Sequence, residues 1–402
     1  MGTLSDWGAG ANILKSLVGL GILTLPYATA QVGWLASVVG FAIVAAMSVQ
    51  GIFFAAMARE VVEKSASDSD GASESSGLRA RQTDSDHREI QLAKHTVGFF
   101  DNIVLRALGW PGQVLFSLSV AVAQITTVVS YIDTIAISAE TYTHTGRSTT
   151  LVCIGILLVL LSTVKSFSGV SYLSYAGLLT YVVIFIALVV EAAHSQIEGT
   201  LGRTSTALRG AGSDYGAWFG MSAFAFGGFA IGIAVYDDMK EPRHFYKVVS
   251  VSYIICWVFY TLFAILGYLC YGDGTKEVIY FNFPQHSGLR DSALVAICIV
   301  LLLTYVVQMM PVYSWAESFS KDVLHYAVAR GILVLLTLII AGFVRSVVVT
   351  ITIGGALMAA ISAFILPAIT YIIVSPHVLW TEYVAAFCLV VVGVAGAVQA
   401  IL

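Results

Sequence analysis

Two glycine-rich apolar segments carry the residues whose types and spacing could bind a charged small molecule. The first reads Val18-Gly19-Leu20-Gly21-Ile22 and the second reads Ala223-Phe224-Ala225-Phe226-Gly227-Gly228. Glycine weakens a helix, and an interrupted helix leaves backbone amides and carbonyls without partners. Amides at the start of a helix attract a carboxylate, and carbonyls at the end of a helix attract a cation. Two such breaks that face each other would bind a zwitterion.

The elements that position these segments are membrane-spanning helices. Of the 402 residues, 58% are hydrophobic and 11% are charged, whereas a soluble chain has about 25% charged residues. One span needs roughly 20 apolar residues, and the chain holds many such runs. The sequence therefore predicts an all-α polytopic membrane protein embedded in a lipid bilayer. We predict eleven spans, at residues 12–31, 35–58, 111–136, 149–165, 170–192, 215–236, 247–271, 292–316, 327–344, 346–374 and 379–402.

The two glycine segments fall in the first and sixth predicted spans, so they enter the membrane from opposite sides. Interrupted helices at matching positions of two five-helix halves indicate a transporter site, because unwound backbone in a bilayer must line a polar cavity. We expect the first helix to split into an inner half that ends near Val18 and an outer half that starts near Gly21 or Ile22. Carbonyls from Ala223 to Ala225 would end the outer half of the sixth helix. The alternative is that the glycines serve close helix packing.

The positions of the basic residues predict the orientation of the chain. With the amino terminus in the cytoplasm, the inner loops hold 13 Lys and Arg residues and the outer loops hold 6. Basic residues favour the cytoplasmic side, so we expect a cytoplasmic amino terminus and an external carboxyl terminus. Residues 64–86, rich in Ser, Asp, Glu and Gly, predict a cytoplasmic linker without stable structure. Residues 87–110 favour an interfacial amphipathic helix over an ordinary connector, with Pro111 near the first turn of the third span.

Several classes of function find no support in the sequence. The net charge is −4 with no basic block, so nucleic acid is not expected as a partner. The five cysteines lie in apolar runs without a CxxC pair, and no cofactor or metal site is indicated. The predicted spans contain no His/Asp/Glu cluster and no nucleophile–base pair, so we do not expect an enzyme. An obligate protein partner is neither indicated nor excluded.

The motifs in both glycine segments resemble one known family. The run 12–28, with the core Val-Gly-Leu-Gly-Ile-Leu-Thr-Leu-Pro-Tyr-Ala, looks like the first helix of the amino acid/auxin permease family. The sixth-span run 224–228, followed by Asp-Met-Lys-Glu-Pro at 238–242, is similar to its second signature. Further fits are Phe245-x-Lys247-Val248, Gly267-Tyr-Leu-Cys-Tyr-Gly272, Asn282-Phe-Pro284 and Phe364-Ile-Leu-Pro367. The resemblance covers nearly the whole chain.

This resemblance implies the five-plus-five inverted repeat of the amino acid–polyamine–organocation superfamily, with broken first and sixth helices. The repeats would be residues 12–192 and 215–374, followed by an extra helix at 379–402. It also implies secondary active transport of amino acids by symport with protons or sodium. The chain departs from the family in its acidic, serine-rich insert. It also lacks a histidine inside any span, although some proton-coupled relatives carry one in the first helix.

Polar residues within the spans are candidates for substrate and ion binding. Gln124 in the third span could line the cavity or join two helices. Thr304 in the eighth span could coordinate sodium beside the Val18 carbonyl, as the fold class implies, or bond its own backbone. Asp133 and Glu191 lie at the outer ends of their spans and could relay a proton.

Together these observations predict a transporter of small neutral amino acids that works by alternating access and is coupled to protons. Its substrate site would comprise Val18, Gly19, Gly21, Ile22, Ala223, Phe224, Gly227, Gly228 and Gln124. No charge is predicted at the middle of the membrane, which argues against strongly charged substrate side chains. Sodium-coupled or uncoupled transport, and an amino-acid sensor with a transporter fold, are the alternatives. The membrane would be the plasma membrane or one of the vacuolar or lysosomal type.

Overall fold

The chain is a bundle of helices joined by short connections. A computed structural model describes residues 4–73, 99–143, 145–162, 170–198, 200–202, 204–210, 214–283, 288–317 and 323–400. In these ranges the α-helices are α1 Asp6–Leu17, α2 Leu20–Val32, α3 Trp34–Ser73, α4 Phe99–Thr143, α5 Arg147–Ser162, α6 Val170–Ile197, α7 Tyr215–Ala225, α8 Phe229–Asp238, α9 Phe245–Tyr271, α10 Gly288–Glu317, α11 Val323–Phe343, α12 Val347–Thr352, α13 Leu366–Val374 and α14 Trp380–Gln399. Between α12 and α13, Ile353–Ile365 form a wider π-helix, here called the π segment.

The lengths and apolar surfaces of these helices suit a membrane. Within the described residues, seven helical spans are long and apolar enough to cross a bilayer, and the bent pair α1–α2 adds an eighth. Shorter apolar helices cover Arg147–Ser162, Leu294–Met310 and Ala327–Phe343. On α5, Val152, Ile156 and Leu160 are all exposed and follow one another at four-residue intervals, which gives that helix one lipid-facing stripe. The chain is a multi-pass membrane protein.

Where the structure describes them, the eleven predicted spans fall on helices, but some boundaries differ. The first helix begins at Asp6, earlier than expected, because the Ser5 hydroxyl caps it by accepting from the Gly8 N–H at 3.3 Å. Lys15 therefore lies in the last turn of α1 and not near the start of the span. Helix α3 continues to Ser73, so residues 64–73 of the predicted linker are helical. The rest of that linker, and residues 87–98 of the predicted amphipathic helix, lie outside the described residues.

A sharp kink divides α4 at Gly109. This residue has φ 69°, a conformation that residues with a side chain rarely adopt. Pro111 follows two positions later, where the second part of the helix begins. The predicted start of the third span therefore agrees with the position at which α4 changes direction.

Helix α9 connects the two ends of the bundle, over about 40 Å for its 27 residues. Just before its first residue, His244 contacts Asp6 at 2.7 Å, and we call this the Asp6 end. Beyond its last residue, Glu277 accepts from the Ser346 hydroxyl at 2.9 Å. The Val344 carbonyl, two residues before Ser346, accepts from Arg147 at 3.4 Å, and we call this the Arg147 end.

Candidate functional site

The first break separates α1 from α2 at Val18 and Gly19, where the helix direction changes by 56°. Val18 still donates its N–H to the Leu14 carbonyl at 3.1 Å, and Ile22 donates its N–H to the Gly19 carbonyl at 3.3 Å. The break is therefore confined to two residues, and α2 begins at Leu20, one residue earlier than expected. The first amides of α2 lie past the break, without the acceptors that an unbroken helix would supply.

The second break is a three-residue turn between α7 and α8. Gly227 donates its N–H to the Phe224 carbonyl at 3.1 Å, so the Ala223 carbonyl loses the donor that a continuous helix would give it. The Tyr253 hydroxyl, from α9, donates to the Phe226 carbonyl at 3.2 Å. One carbonyl of the turn is thus satisfied by a neighbouring helix, while the carbonyls at the end of α7 face the break.

The two breaks lie side by side. A methyl group added to Gly21 would come within 2.8 Å of the Ala225 Cα and within 3.1 Å of the Phe224 ring. A methyl group added to Gly228 would come within 2.9 Å of the Leu17 side chain. The start of α2 therefore packs on the end of α7, and the end of α1 packs on the start of α8. The structure brings together the two segments that the sequence predicts as partners.

The four glycines of the breaks differ in what surrounds them. Gly21 and Gly228 are buried against neighbouring helices. Gly19 is half-buried, and the nearest atom to an added methyl group would be 4.0 Å away. Gly227 is exposed. The backbone of the paired breaks is therefore accessible at Val18, Gly19 and Gly227. Gly21 and Gly228 instead allow neighbouring helices to pack closely.

Phe224 and Phe226 have different surroundings, although both flank the second break. Phe226 is fully buried, with its ring 5.1 Å from that of Tyr260 and 6.4 Å from that of Phe41. Phe41 in turn stacks on Trp218 at 5.8 Å. Phe224 is half-buried at the break itself. Of the two rings, Phe224 is the one that keeps accessible surface at the break.

The π segment forms a third wall that the sequence analysis missed. A methyl group on Gly355 would collide with the Gly220 carbonyl and would lie 2.7 Å from the Phe224 N atom. A methyl group on Gly354 would collide with the Thr126 hydroxyl. These close approaches bring α4 and the π segment against the half of α7 that ends at the break. The adjacent pair Gly354-Gly355 in an apolar span was the available signal.

Gln124 does not join this wall. Its side-chain oxygen accepts a hydrogen bond from the Gln308 amide of α10. Thr126, which faces the π segment, is two residues away and therefore about 200° around the same helix. The structure thus uses Gln124 in a pair that joins α4 to α10, and Gln308 is a partner that sequence reasoning did not identify.

Thr304 bonds its own helix. Its hydroxyl donates to the Val300 carbonyl at 2.7 Å, one turn back. This is the alternative role that a threonine in a membrane helix commonly takes. Helix α10 packs mainly against α4 and α6, and among the described hydrogen bonds none joins Thr304 to Val18.

Asp133 is fully buried in α4 and pairs with Arg147. Arg147 also donates to the Ala341 carbonyl at 2.7 Å and lies 3.8 Å from a Glu140 carboxylate oxygen. Glu191 is half-buried near the end of α6 and acts electrostatically on Tyr271, at the end of α9. Contrary to the prediction, Asp133 does not lie at the end of its helix, because α4 continues to Thr143, about 15 Å further on. Glu191 lies in the last turns of α6. Of the two acids, only Asp133 has a charged partner among the contacts that the structure describes.

The family of the chain follows from comparison with known proteins. The family model described as transmembrane amino acid transporter protein matches residues 2–402. Amino acid transporter AVT1E of Arabidopsis thaliana is 25% identical over 95% of this chain and 69% of its own length. Amino acid transporter AVT3C of the same plant is 22% identical over 97% of this chain and 88% of its own length. Vacuolar amino acid transporter 3 of Saccharomyces cerevisiae is 22% identical over 77% of this chain and 41% of its own length.

A solved structure supports the fold. The crystal structure of the Eremococcus coleocola manganese transporter, bound to an aromatic bis-isothiourea compound, matches with a TM-score of 0.57. It is 11% identical, and the match covers 98% of this chain and 86% of that one. At this identity the likeness concerns the fold alone. The family and these relatives are transporters and not enzymes, and the chain belongs to the transmembrane amino acid transporter family.

Proposed function

We propose that this protein is a secondary active transporter of small neutral amino acids, which it binds as zwitterions and moves by alternating access. The observation that carries the proposal is the side-by-side packing of the two breaks, in which Gly21 contacts Ala225 and Leu17 contacts Gly228. Discontinuous helices paired in this way bind substrates through their backbone groups in transporters. The family supplies amino acids as the substrate class.

The polarity of the helix ends gives each charge of a zwitterion its own partner. The first amides of α2 carry a partial positive charge and would hold the carboxylate. The carbonyls that end α1 near Val18 and end α7 near Ala223 carry a partial negative charge and would hold the ammonium group. This arrangement needs no charged side chain for either group.

A small and neutral substrate side chain fits the walls of the site. Phe224 lies at the break, and Gly354 and Gly355 bring the π segment close to it. The polar side chains that approach this wall include Thr126 and Thr352, which are uncharged. Lys15, in the last turn of α1, is the charged residue nearest to the first break along the chain, and a cation there stabilises the carbonyl end of the helix.

The topology in this proposal has eleven spans arranged as two inverted five-helix repeats, with the extra helix α14. The amino terminus lies in the cytoplasm, as the 13-to-6 distribution of basic residues supports. The Asp6 end is then the inner side and the Arg147 end is the outer side. A relative from yeast is named as vacuolar, which makes a vacuolar-type membrane one location to test beside the plasma membrane.

Protons drive transport in this proposal, and sodium is the alternative. A sodium ion would be coordinated by the Val18 carbonyl and the Thr304 hydroxyl. The hydrogen bond from Thr304 to Val300 and the packing of α10 on α4 and α6 favour the proton.

The test is transport by the purified full-length chain in liposomes. Vesicles loaded with unlabelled alanine should take up labelled alanine by exchange, and larger or charged amino acids should compete weakly. Net accumulation should follow an inward pH gradient without sodium. Amino-acid binding without exchange would contradict a transporter and support the sensor alternative.

A further inference from the structure

We infer that Asp133, paired with Arg147, is the group that binds the coupling proton. This inference rests on the proposed function, since it assigns the ion site of the same transporter. It distinguishes Asp133 from Glu191, the other acid predicted as a proton relay, and it gives Arg147 the role of a positioning residue.

The carboxylate of Asp133 is buried and incompletely bonded. Its side chain has no exposed surface, and its Oδ1 atom accepts from Arg147. Among the described residues, its Oδ2 atom has no hydrogen-bond partner. A buried carboxylate oxygen without a donor is costly while it is charged, and a proton on Oδ2 lowers that cost by removing the charge.

Arg147 is shared among several acceptors. One of its Nη atoms bonds Asp133 and also the Ala341 and Val344 carbonyls at the end of α11. The other lies 3.8 Å from Glu140 Oε1, and its Nε is buried without an acceptor among the described residues. The pair is therefore not the two-point arrangement that holds an arginine most firmly on a carboxylate.

Burial of the Asp133 side chain favours the uptake of one proton, whereas the charges around it act in both directions. Arg147 from α5 is its cation, whereas Glu140 from α4 and Glu277 from the segment after α9 both repel it. Helix α11 contributes backbone carbonyls to the guanidinium. When a proton binds Oδ2, Asp133 becomes neutral, Arg147 loses its partner there, and Glu140 is the carboxylate towards which it can turn.

The cluster is connected to the breaks through α12. Glu277 accepts from the Ser346 hydroxyl at 2.9 Å and from the Val347 N–H at 3.1 Å, so it holds the start of α12. Gly354 lies seven residues further along the same span, about 10 Å away, where the π segment packs beside Phe224. A change in charge at Asp133 alters its repulsion of Glu277 and therefore the position of α12. This is a physical route from proton binding to the substrate site.

The experiment compares pH-driven accumulation with exchange in liposomes that contain the purified full-length protein and labelled alanine. One pH unit supports about tenfold accumulation if one proton moves with each substrate. Asp133→Asn cannot exchange a proton, so accumulation should disappear while exchange continues at a rate comparable to that of the unaltered protein. Glu191→Gln is the matched control and should keep both activities.

Arg147→Gln is the second variant. Without its cation Asp133 should stay protonated, so pH-driven accumulation should again be lost while exchange persists. Accumulation that survives in Asp133→Asn would overturn the inference, and so would loss of accumulation in Glu191→Gln alone. Loss of both activities in both Asp133→Asn and Arg147→Gln would show a structural role and would also overturn it.

The same assays on the unaltered protein distinguish a failure of this inference from a failure of the proposed function. If the protein exchanges alanine but accumulates alanine only with a sodium gradient, or does not accumulate alanine at all, the proton site is wrong and amino-acid transport stands. If it shows neither exchange nor accumulation of any amino acid, the proposed function itself fails.

Discussion

The backbone of Gly21 lies so close to Ala225 that a methyl group on Gly21 would sit 2.8 Å from the Ala225 Cα. This contact joins the start of α2 to the end of α7 and holds the two breaks together. It also changes how glycine substitutions must be interpreted. A side chain at Gly21 would separate the two helices whether or not a ligand is present, so its effect reports packing before it reports substrate binding.

Gly19→Ala is therefore the better test of the site, with Gly21→Ala as its comparison. The methyl group at Gly19 meets open space, so the melting temperature of the purified protein should not change. The same methyl group should raise the KM for alanine, because it occupies the space beside the accessible backbone. Gly21→Ala should lower the melting temperature, since overpacking costs about 1–3 kcal/mol. An unchanged KM in Gly19→Ala would remove Gly19 from the site.

Gly227→Ala and Gly228→Ala should differ in how they depend on substrate size. Gly227 is exposed at the turn, and a methyl group there would lie 3.0 Å from the Phe224 carbonyl oxygen and 3.2 Å from the Ala223 carbonyl oxygen. It should narrow the space beside these carbonyls and reduce the uptake of larger amino acids more than that of glycine or alanine. At Gly228 the methyl group would lie 2.7 Å from the Tyr253 hydroxyl. It should reduce the uptake of all substrates in the same proportion. Competition assays with amino acids of increasing size measure both patterns.

Tyr253→Phe is the control for this comparison. It removes the hydrogen bond to the Phe226 carbonyl without adding volume, at a cost of about 0.5–1.5 kcal/mol, because that carbonyl keeps the hydrogen bond from the Gly228 N–H at 2.9 Å. Its substrate profile should resemble that of Gly228→Ala. A size-dependent profile in Gly228→Ala together with a uniform one in Gly227→Ala would reverse the roles assigned to the two glycines.

The sequence was sufficient to predict that two helices are interrupted and where. Glycines at matching positions of apolar spans carry that information locally, because they weaken a helix wherever it folds. The sequence could not show which glycines face a neighbour. Gly19 and Gly21 are two residues apart and look equivalent in the pattern, yet one is open and the other is packed against α7. That difference depends on how distant helices meet.

The polar partners were missed for the same reason. Gln124 and Gln308 are 184 positions apart, and no local pattern pairs them. Arg147 is 14 positions from Asp133 and follows the loop after α4. Basic residues are common in such loops at the membrane surface, so nothing in the sequence indicates that Arg147 pairs with a buried acid. The sequence could have predicted the early start of α1, because a serine such as Ser5 directly before Asp6 is a common helix N-cap.

The pair Gln124–Gln308 should contribute to stability and not to substrate choice. Gln308→Leu leaves the Gln124 oxygen without its donor in a half-buried position, which costs about 1–3 kcal/mol. The double variant Gln124→Leu/Gln308→Leu should be destabilised by less than the sum of the two single variants, since contacting residues are not additive. Denaturation of the purified proteins measures this coupling. A shift in substrate profile at unchanged stability would instead return Gln124 to the site.

Thr304→Val should leave pH-driven uptake largely intact. The hydroxyl donates to the Val300 carbonyl of its own helix, and valine keeps the shape of the side chain. Stability should change little, because the carbonyl keeps its helical N–H donor. Uptake under an inward pH gradient and under a sodium gradient should be measured in parallel. Sodium-driven uptake that Thr304→Val abolishes would establish the sodium alternative.

The last prediction concerns the contacts that join the two broken helices at the Asp6 end. Leu4 donates its N–H to the Asp238 carbonyl at 2.8 Å, and Lys240 donates its N–H to the Leu4 carbonyl at 2.9 Å. Asp6, at the start of α1, contacts His244 at 2.7 Å. These contacts hold the entry to α1 against the end of α8. In a transporter with alternating access they must separate when the site opens at this end.

Asp6→Asn should therefore make the first break more accessible from the Asp6 end. The contact with His244 is partly exposed and worth up to about 1 kcal/mol, or about a fivefold change in the population of the open state. The measurement is the labelling rate of Gly19→Cys, with the five native cysteines replaced by alanine, by an impermeant thiol reagent applied from that side. Glu63→Gln is the matched control, because the Glu63 side chain is as exposed as that of Asp6 but pairs with Arg59 within α3. The labelling rate should rise in Asp6→Asn and stay unchanged in Glu63→Gln, and an equal rise in both would show that the Asp6–His244 contact does not hold the site closed.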